Sequence, residues 1–266
     1  MKRLMILLMI MALAGGVFAG GRRDTGGLTI RPGVLQIGMD IGYPPFEFFA
    51  EDGVTPMGFD VELGKALAQR MGLRPEFINT AWEGIFAGVN TNRYDVIISA
   101  VTITPARLEA HNFSNPYISN NLAMVGLRGS GVRARSPMET AGLQVAFQGD
   151  TTADHYMTNL RNQGLRFIER RYDQIIRCFE ELRLGRVDVI VTDSVVAFDY
   201  IAPANSPFEI LWMSTEGEEF GICMRKGNDA LTEAINKALA ELFADGTMLR
   251  LSNQFFGMDL VSSVRR

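Results

Sequence analysis

The chain has 266 residues, 47% hydrophobic and 21% charged, with a formal net charge of -4 at pH 7. That composition is globular, and the length is ample for two lobes. The charge gives no electrostatic basis for nucleic-acid binding, and basic runs interleaved with aromatics are missing.

Lys2 and Arg3 precede an apolar run from Leu4 to Ala14 that is too short to span a bilayer. Val17-Phe18-Ala19 then offers small residues for cleavage before Gly20, so residues 1–19 read as a secretory signal peptide and 20–27 as a flexible leader. No cysteine lies near this segment, which argues against a lipoprotein. The expected product is soluble, exported and periplasmic. Cys178 and Cys223 could pair in an oxidising compartment, but their places in a helical and a strand pattern predict two buried free thiols. With His111 and His155 they are too few for the usual structural zinc sites, and neither a metal nor a cofactor is expected.

Residues 34–39 read as the first strand, ending at Asp40. Pro44 and Pro45 bar both helix and ladder, so 41–46 should be an irregular loop. A loop just past a strand end is where α/β sheets keep ligand sites, which makes Asp40 and Tyr43 candidates. The plainer reading of Tyr43 is a half-buried loop aromatic. Asp52-Gly53 predicts a turn, and Asp60 is expected to cap a helix that carries Val61, Leu67 and Met71 inward and stops at Gly72. A short strand is predicted at 76–78. Trp82, Ile85, Phe86 and Val89 then recur at helical spacing. Trp82, at that helix start, faces either a core or a cleft. Val96-Ile97-Ile98 reads as a buried strand, and the alternating order predicts a parallel sheet.

The pattern then repeats. An apolar run covers 122–127, and 128–135 is a basic surface loop. A strand is predicted at 143–147, then a loop at 148–152 and a helix at 153–162. A strand at 166–168 precedes a helical stripe of Tyr172, Ile175, Ile176, Phe179 and Leu182, ended by Gly185. A buried strand at 187–191 leads to Asp193, in cap position before a helix that runs to Ile201. Strand 208–213, an acidic crossing at 215–219 and apolar 220–224 follow. A final amphipathic helix spans Leu231 to Phe243, and 261–266 is expected to fray. No repeat of fixed period is present.

After the strand at 96–98, Thr104 stands at a helix N-cap and Pro105 at the first helical position. Arg107 thus falls in the first turn, where a cation opposes the helix dipole. The residues alone leave Arg107 either a solvated arginine or, with Ser99, Thr102 and Thr104, a holder of carboxylate or phosphate. Asp40 and Tyr43 follow one strand, and Thr151, Thr152 and Asp193 follow others. One cation with hydroxyls and one isolated acid would suit a zwitterion. Asp193 can equally be a plain N-cap.

Several runs carry a resemblance to the polar amino-acid family of ABC-transporter solute-binding proteins. They are Asp40-Ile41-Gly42-Tyr43-Pro44-Pro45-Phe46-Glu47-Phe48, Gly58-Phe59-Asp60, Tyr94-Asp95-Val96-Ile97-Ile98-Ser99-Ala100, Thr102-Ile103-Thr104-Pro105-Ala106-Arg107 and Phe113-Ser114-Asn115-Pro116-Tyr117. Gly185-Arg186-Val187-Asp188, Thr192-Asp193 and Asp245-Gly246-Thr247 continue it in the family's order. The resemblance implies a two-lobed periplasmic-binding-protein fold of type II, each lobe a mostly parallel sheet flanked by helices. Lobe 1 would hold 28–118 and 221–266, lobe 2 would hold 122–215, and the hinges would lie at about 119–121 and 216–220. It implies that Arg107 binds the α-carboxylate of a free L-amino acid, helped by Thr102 and by Thr151 or Thr152. Asp193 and the Ala100 backbone would take the α-ammonium, and Tyr43 and Trp82 would sandwich the side chain. Asp40 and Gln148, with Ser99 beside them, would read its polar end. Asp150-Thr151-Thr152 stands where the family commonly has Gly-Thr-Thr, which leaves that loop's path open.

Aromatic faces beside Asp40 favour arginine, lysine or ornithine over glutamine or histidine. The expected partner is an inner-membrane ABC permease that receives the ligand from a monomer. Two other readings are a dehydratase-like enzyme on the same fold, with Glu47 or Glu83 as its only acid candidates, and a ligand-sensing module for a receptor. Both glutamates read more simply as solvated carboxylates. Neither a Gly-x-Ser-x-Gly motif, a metal-ligand cluster nor a phosphate loop supports catalysis.

Overall fold

A computed structural model describes residues 27–264; the signal-peptide reading and all but the last residue of the leader lie outside them. The chain runs β1 (Val34–Met39), β2 (Phe48–Phe49), β3 (Pro56–Met57), α1 (Phe59–Met71), β4 (Arg74–Asn79), α2 (Trp82–Asn90) and β5 (Val96–Ile97). It continues with α3 (Pro105–Ala110), β6 (His111–Phe113), β7 (Ile118–Leu127), β8 (Gln144–Gln148), α4 (Thr152–Asn162), β9 (Ile168–Tyr172) and α5 (Ile175–Arg183). The last elements are β10 (Val189–Asp193), α6 (Ser194–Ile201), β11 (Phe208–Phe220), β12 (Cys223–Arg225), α7 (Asp229–Ala244) and α8 (Thr247–Phe256).

Two five-stranded sheets form, ordered β4-β1-β5-β12-β6 and β11-β7-β10-β8-β9. Read from the βα-linked edge, the fourth strand of each (β12 and β7) runs against the other four. The expectation of mostly parallel sheets holds in that sense. The chain passes between the sheets twice, along β7 and β11. These two strands pair from Ile118↔Phe220 to Leu127↔Phe208, with irregularities at Ile210/Trp212 and Met213/Gly217. The acidic stretch at 215–219 is therefore part of one long ladder and not a gap between two strands.

Alternation along the strands decides which face each residue covers. In β10, Val189 and Val191 join one apolar cluster with Val145 and Phe147, while Ile190 faces the main core. Under the first sheet, Trp82, Ile85, Val89, Tyr94, Ile97 and Cys223 form a third cluster. Cys178 and Cys223 are buried free thiols, as expected, and burial pushes both up.

Several expectations are corrected. α1 is capped at Gly58, not Asp60, whose side chain turns inward to the backbone N–H of Ala100. β9 begins at Ile168 and takes in Tyr172, which the helical stripe had claimed. β6 and α8 give too short or too mixed a pattern to be predicted. Val261 and Val264 are buried, because the Leu260 carbonyl accepts from the Ser119 N–H and ties the C-terminal segment to β7.

Candidate functional site

The cleft is built where strand ends from the two sheets face each other. β1 ends at Asp40, β5 leads into Ser99 and Ala100, β8 ends at Gln148 and β10 at Asp193. A cavity lies between them. Of the ligand-binding residues that the resemblance implies, all but Gln148 line it; Glu47, an acid candidate of the enzyme reading, joins them, whereas Glu83 and Thr104 do not. Gln148 Nε2 donates across the cleft to Asp40 Oδ2 at 2.8 Å. Two more bonds span the gap: Trp82 Nε1 donates to the Asp150 carbonyl at 3.1 Å, and the Tyr43 phenol donates to Asp193.

The Arg107 corner forms as local rules predict. The Thr104 hydroxyl caps α3 by accepting the Arg107 N–H at 3.2 Å, and Pro105 opens the helix. α3 is six residues long, so the opposing dipole is weak. Arg107 Nη1 donates to the Thr102 carbonyl at 3.0 Å. Its guanidinium lies over Trp82 (5.4 Å) and Phe86 (5.0 Å), a cation–π arrangement. Trp82 thus serves core and cleft at once. Among the described residues Arg107 forms no ion pair. Burial lowers its pKa, yet an arginine stays charged. A half-buried guanidinium on a cavity wall without a carboxylate is arranged to take an anion.

Asp193 holds the N-cap position of α6 but makes no side-chain cap bond. Its carboxylate accepts from Tyr43 and from Asn120 Nδ2 at 2.6 Å. It is therefore neither a plain cap nor an isolated acid. Burial, with Glu218 nearby, pushes its pKa up to about 7, against the Tyr43 and Asn120 hydrogen bonds. Asp40 is pushed up to about 6 by burial, against hydrogen bonds from Gln148 and Gln174.

The floor comes from the turn after β5. The Ser99 hydroxyl accepts the Asp40 N–H at 3.0 Å and donates to Glu47 Oε1 at 2.5 Å. Ala100 has φ +47, a left-handed conformation that costs a Cβ-bearing residue about 1–2 kcal/mol. The bond from its N–H to Asp60 Oδ2 (2.7 Å) holds it there.

In the second lobe the Thr151 hydroxyl caps α4 by accepting the Asp154 N–H (3.3 Å) and donates to the Gln148 carbonyl (2.8 Å). Thr152 donates to Glu218 Oε2 at 3.4 Å. The open question about Asp150 is answered by its φ of +60: the chain takes the path a glycine would take. Buried Asp154 organises this loop, accepting the Asp150 N–H (2.8 Å) and pairing with Arg171 (2.6 Å). Asp tolerates the left-handed region better than most residues. Asp150→Gly is accordingly expected to leave stability within about 0.5 kcal/mol, whereas Asp150→Val should cost about 1–2 kcal/mol in urea unfolding.

Sequence reasoning missed Asn120, Gln174, Glu218 and the inward roles of Glu47 and Asp60. Glu47 is fully buried, not solvated, whereas Glu83 is exposed on α2. The one available signal was Asn120, a polar residue at the head of an apolar run.

Comparison with known proteins fits this geometry. The family model described as "Bacterial extracellular solute-binding proteins, family 3" matches residues 35–258. The L-cystine-binding protein TcyJ of Escherichia coli (strain K12) is 31% identical over 255 residues, covering 95% of this chain and 94% of that protein. The ABC transporter arginine-binding protein 1 of the same organism is 28% identical over 84% of this chain and 90% of its own. A solved structure of an ancestral arginine-binding protein bound to arginine superposes with a TM-score of 0.79 at 34% identity, over 85% of this chain and 99% of that one. With two sheets joined by two crossing strands and a cleft at their facing strand ends, the chain belongs to the family 3 bacterial extracellular solute-binding proteins.

Proposed function

We propose that this protein captures a free amino acid with a cationic far end between its two lobes and delivers it to an ABC permease. One observation carries the reading: three carboxylates (Asp40, Glu47, Asp193) line the cavity, and Arg107 is the only cation among its lining residues. Arg107 would take the α-carboxylate, with Thr102 and the second-lobe Thr151 and Thr152 beside it. Asp193 and the Ala100 carbonyl would take the α-ammonium, displacing the Tyr43 phenol from Asp193. Asp40, with Gln148 and Ser99, would meet the far nitrogen, with Tyr43 and Trp82 flanking the side chain.

Arginine, lysine and ornithine fit this charge pattern. Cystine is the second reading, favoured by the TcyJ match. Its far half also brings an ammonium to Asp40, but its second carboxylate would find no further cation on the cavity wall. A thermal-shift panel tests the choice. The three basic amino acids should raise the melting temperature most; a response confined to aspartate and glutamate would end the cationic reading, and a response to cystine alone would replace it.

The lobes are taken as 28–118 with 221–266 and as 122–215, hinged at 119–121 and 216–220. The course of β7 and β11 between the sheets supports this. A ligand gripped from both sides favours the closed form, the state a permease would recognise. Export to the periplasm rests on the N-terminal sequence. A binding role is favoured over an enzymatic one because Glu47 is fully buried with Oε1 already held by Ser99, and Glu83 is exposed on α2. A receptor-linked sensor differs only in the partner, and the neighbouring genes separate the two.

Affinity should rise with pH. The raised Asp40 and Asp193 pKa values mean that the ligand-free fold gains stability from their protonated forms below about pH 4. That gain is lost as pH climbs through about 6 to 7. A cationic ligand needs both ionised, so its binding expels protons in that window. Calorimetry in buffers of different ionisation enthalpy should show net proton release near pH 6, and proton uptake would contradict the assignment.

A further inference from the structure

We infer that Asn120 is a positioning residue for the ligand: it holds Asp193 Oδ1 and caps α6 in place of Asp193, which leaves Asp193 Oδ2 for the α-ammonium. The ligand half rests on the binding role proposed above; the hold on Asp193 does not.

The backbone brings these groups together. β7 runs antiparallel to β10, with Leu122 opposite Asp193. Two residues earlier on β7, Asn120 lies past the end of β10 and beside the start of α6, and the Asn121 N–H donates to Ser194 Oγ at 3.2 Å. On the other side Asn120 pairs with Glu218 of β11, the second crossing strand. The Asn120 side chain is buried, and all four hydrogen-bonding positions of its amide are used. Nδ2 donates to Asp193 Oδ1 at 2.6 Å and to Glu218 Oε2 at 3.2 Å. Oδ1 accepts from the Ser194 hydroxyl at 3.2 Å and from the Val195 N–H at 3.5 Å.

A short side chain with two donors and two acceptors is what this position requires. An aspartate would set a third carboxylate against Asp193 and Glu218, and a leucine would leave both acids without that donor. Asp193 stands in the N-cap position of α6 yet makes no cap bond. A residue there ordinarily turns its oxygen back onto the second or third N–H of the helix. Val195 carries the second N–H, and Asn120 accepts it from the neighbouring strand. The Asp193 carboxylate is thereby released from α6. With Oδ1 held by Asn120, Oδ2 is the oxygen that meets the Tyr43 phenol, the group the α-ammonium would displace. Of the other groups that bear on Asp193, Glu218 on β11 and Glu47 ahead of β2 oppose its ionisation, while Arg107 on α3 and the Tyr43 donor favour it, as does Asn120.

Carboxyl-carbon NMR of the ligand-free protein tests the hold directly, with the Asp193 signal identified by its loss in Asp193→Asn. That signal should titrate at about pH 7 in the wild type. In Asn120→Ala it should titrate about one pH unit higher, because a donor to the carboxylate is gone. By calorimetry Asn120→Ala should bind L-arginine more than about tenfold more weakly at about pH 7, and the deficit should shrink toward about pH 9 as Asp193 ionises. A general loosening of the fold would instead weaken binding alike at every pH and leave the Asp193 titration where it was, and that result overturns the positioning role. Should the variant not fold, the wild type still decides. Its Asn120 side-chain amide signal should move with the Asp193 midpoint and no longer do so in Asp193→Asn; a signal indifferent to that midpoint overturns the hold. If the Asp193 titration shifts in the variant but L-arginine, L-lysine and L-cystine all fail to bind the wild type, the hold on Asp193 stands and the ligand assignment falls.

Discussion

Arg107→Ala is expected to abolish amino-acid binding while leaving the fold intact. The guanidinium is half-buried, rests on the faces of Trp82 and Phe86, and among the described residues donates only to the Thr102 carbonyl. Its loss from the free protein removes cation–π contacts worth about 0.5–1 kcal/mol each and no ion pair. In the proposed orientation, its loss from the complex would strand the ligand's α-carboxylate between the lobes. Removing one partner of such a buried pair costs about 3–5 kcal/mol, roughly two to four orders of magnitude in Kd. Titration calorimetry with arginine or lysine should therefore show little or no heat, beside a melting temperature close to that of the wild type. Arg107→Lys keeps the charge but not the planar fork, and should recover only part of the affinity. Near wild-type affinity in the alanine variant would remove Arg107 from the site and with it the proposed ligand orientation.

The second large effect concerns the fold under the site. Gly58 has φ +124, and a Cβ there would lie 2.2 Å from the Phe46 carbonyl oxygen and 2.9 Å from the Glu47 nitrogen. Both neighbours are backbone and cannot rotate away. Gly58→Ala should cost more than about 4 kcal/mol or prevent folding, among the largest effects a single substitution produces. The consequence reaches the cleft, because Gly58 starts α1 and so fixes Asp60, which holds Ala100. Gly72→Ala is the control. Gly72 is also left-handed, at φ +70, but has open space around its would-be Cβ, and its substitution should cost only about 1 kcal/mol. Equal urea midpoints for the two variants would show that the contact at Gly58 is not the determinant.

Much of the cleft was legible because ligand loops follow strand ends, and strand ends can be read from apolar runs. Asp40, Ser99, Ala100, Gln148 and Asp193 were found that way. The Thr104 cap and Pro105 start were legible for a different reason: a helix start is decided by its own few residues. The acids were harder. Glu47 sits in a proline-rich loop with no periodicity, so nothing marked it as buried. Asp60 fits the rule for a cap, and only Ala100, forty residues away, explains why it turns inward. The span at 215–219 reads as a polar connection, and it becomes strand because β7 offers it a ladder.

By itself the sequence determined the alternation of strands and helices, the two-unit order, and which loops could carry a cation or an acid. Each of these depends on neighbours a few residues apart, through side-chain period and backbone propensity. Only the tertiary structure decided what each charged group faces. Tyr43 meets Asp193 across 150 residues of chain, Gln148 meets Asp40 across 108, and Ala100 meets Asp60 across 40. Electrostatic interaction depends on distance and on exclusion of water, and both are set by how the lobes pack, not by spacing along the chain.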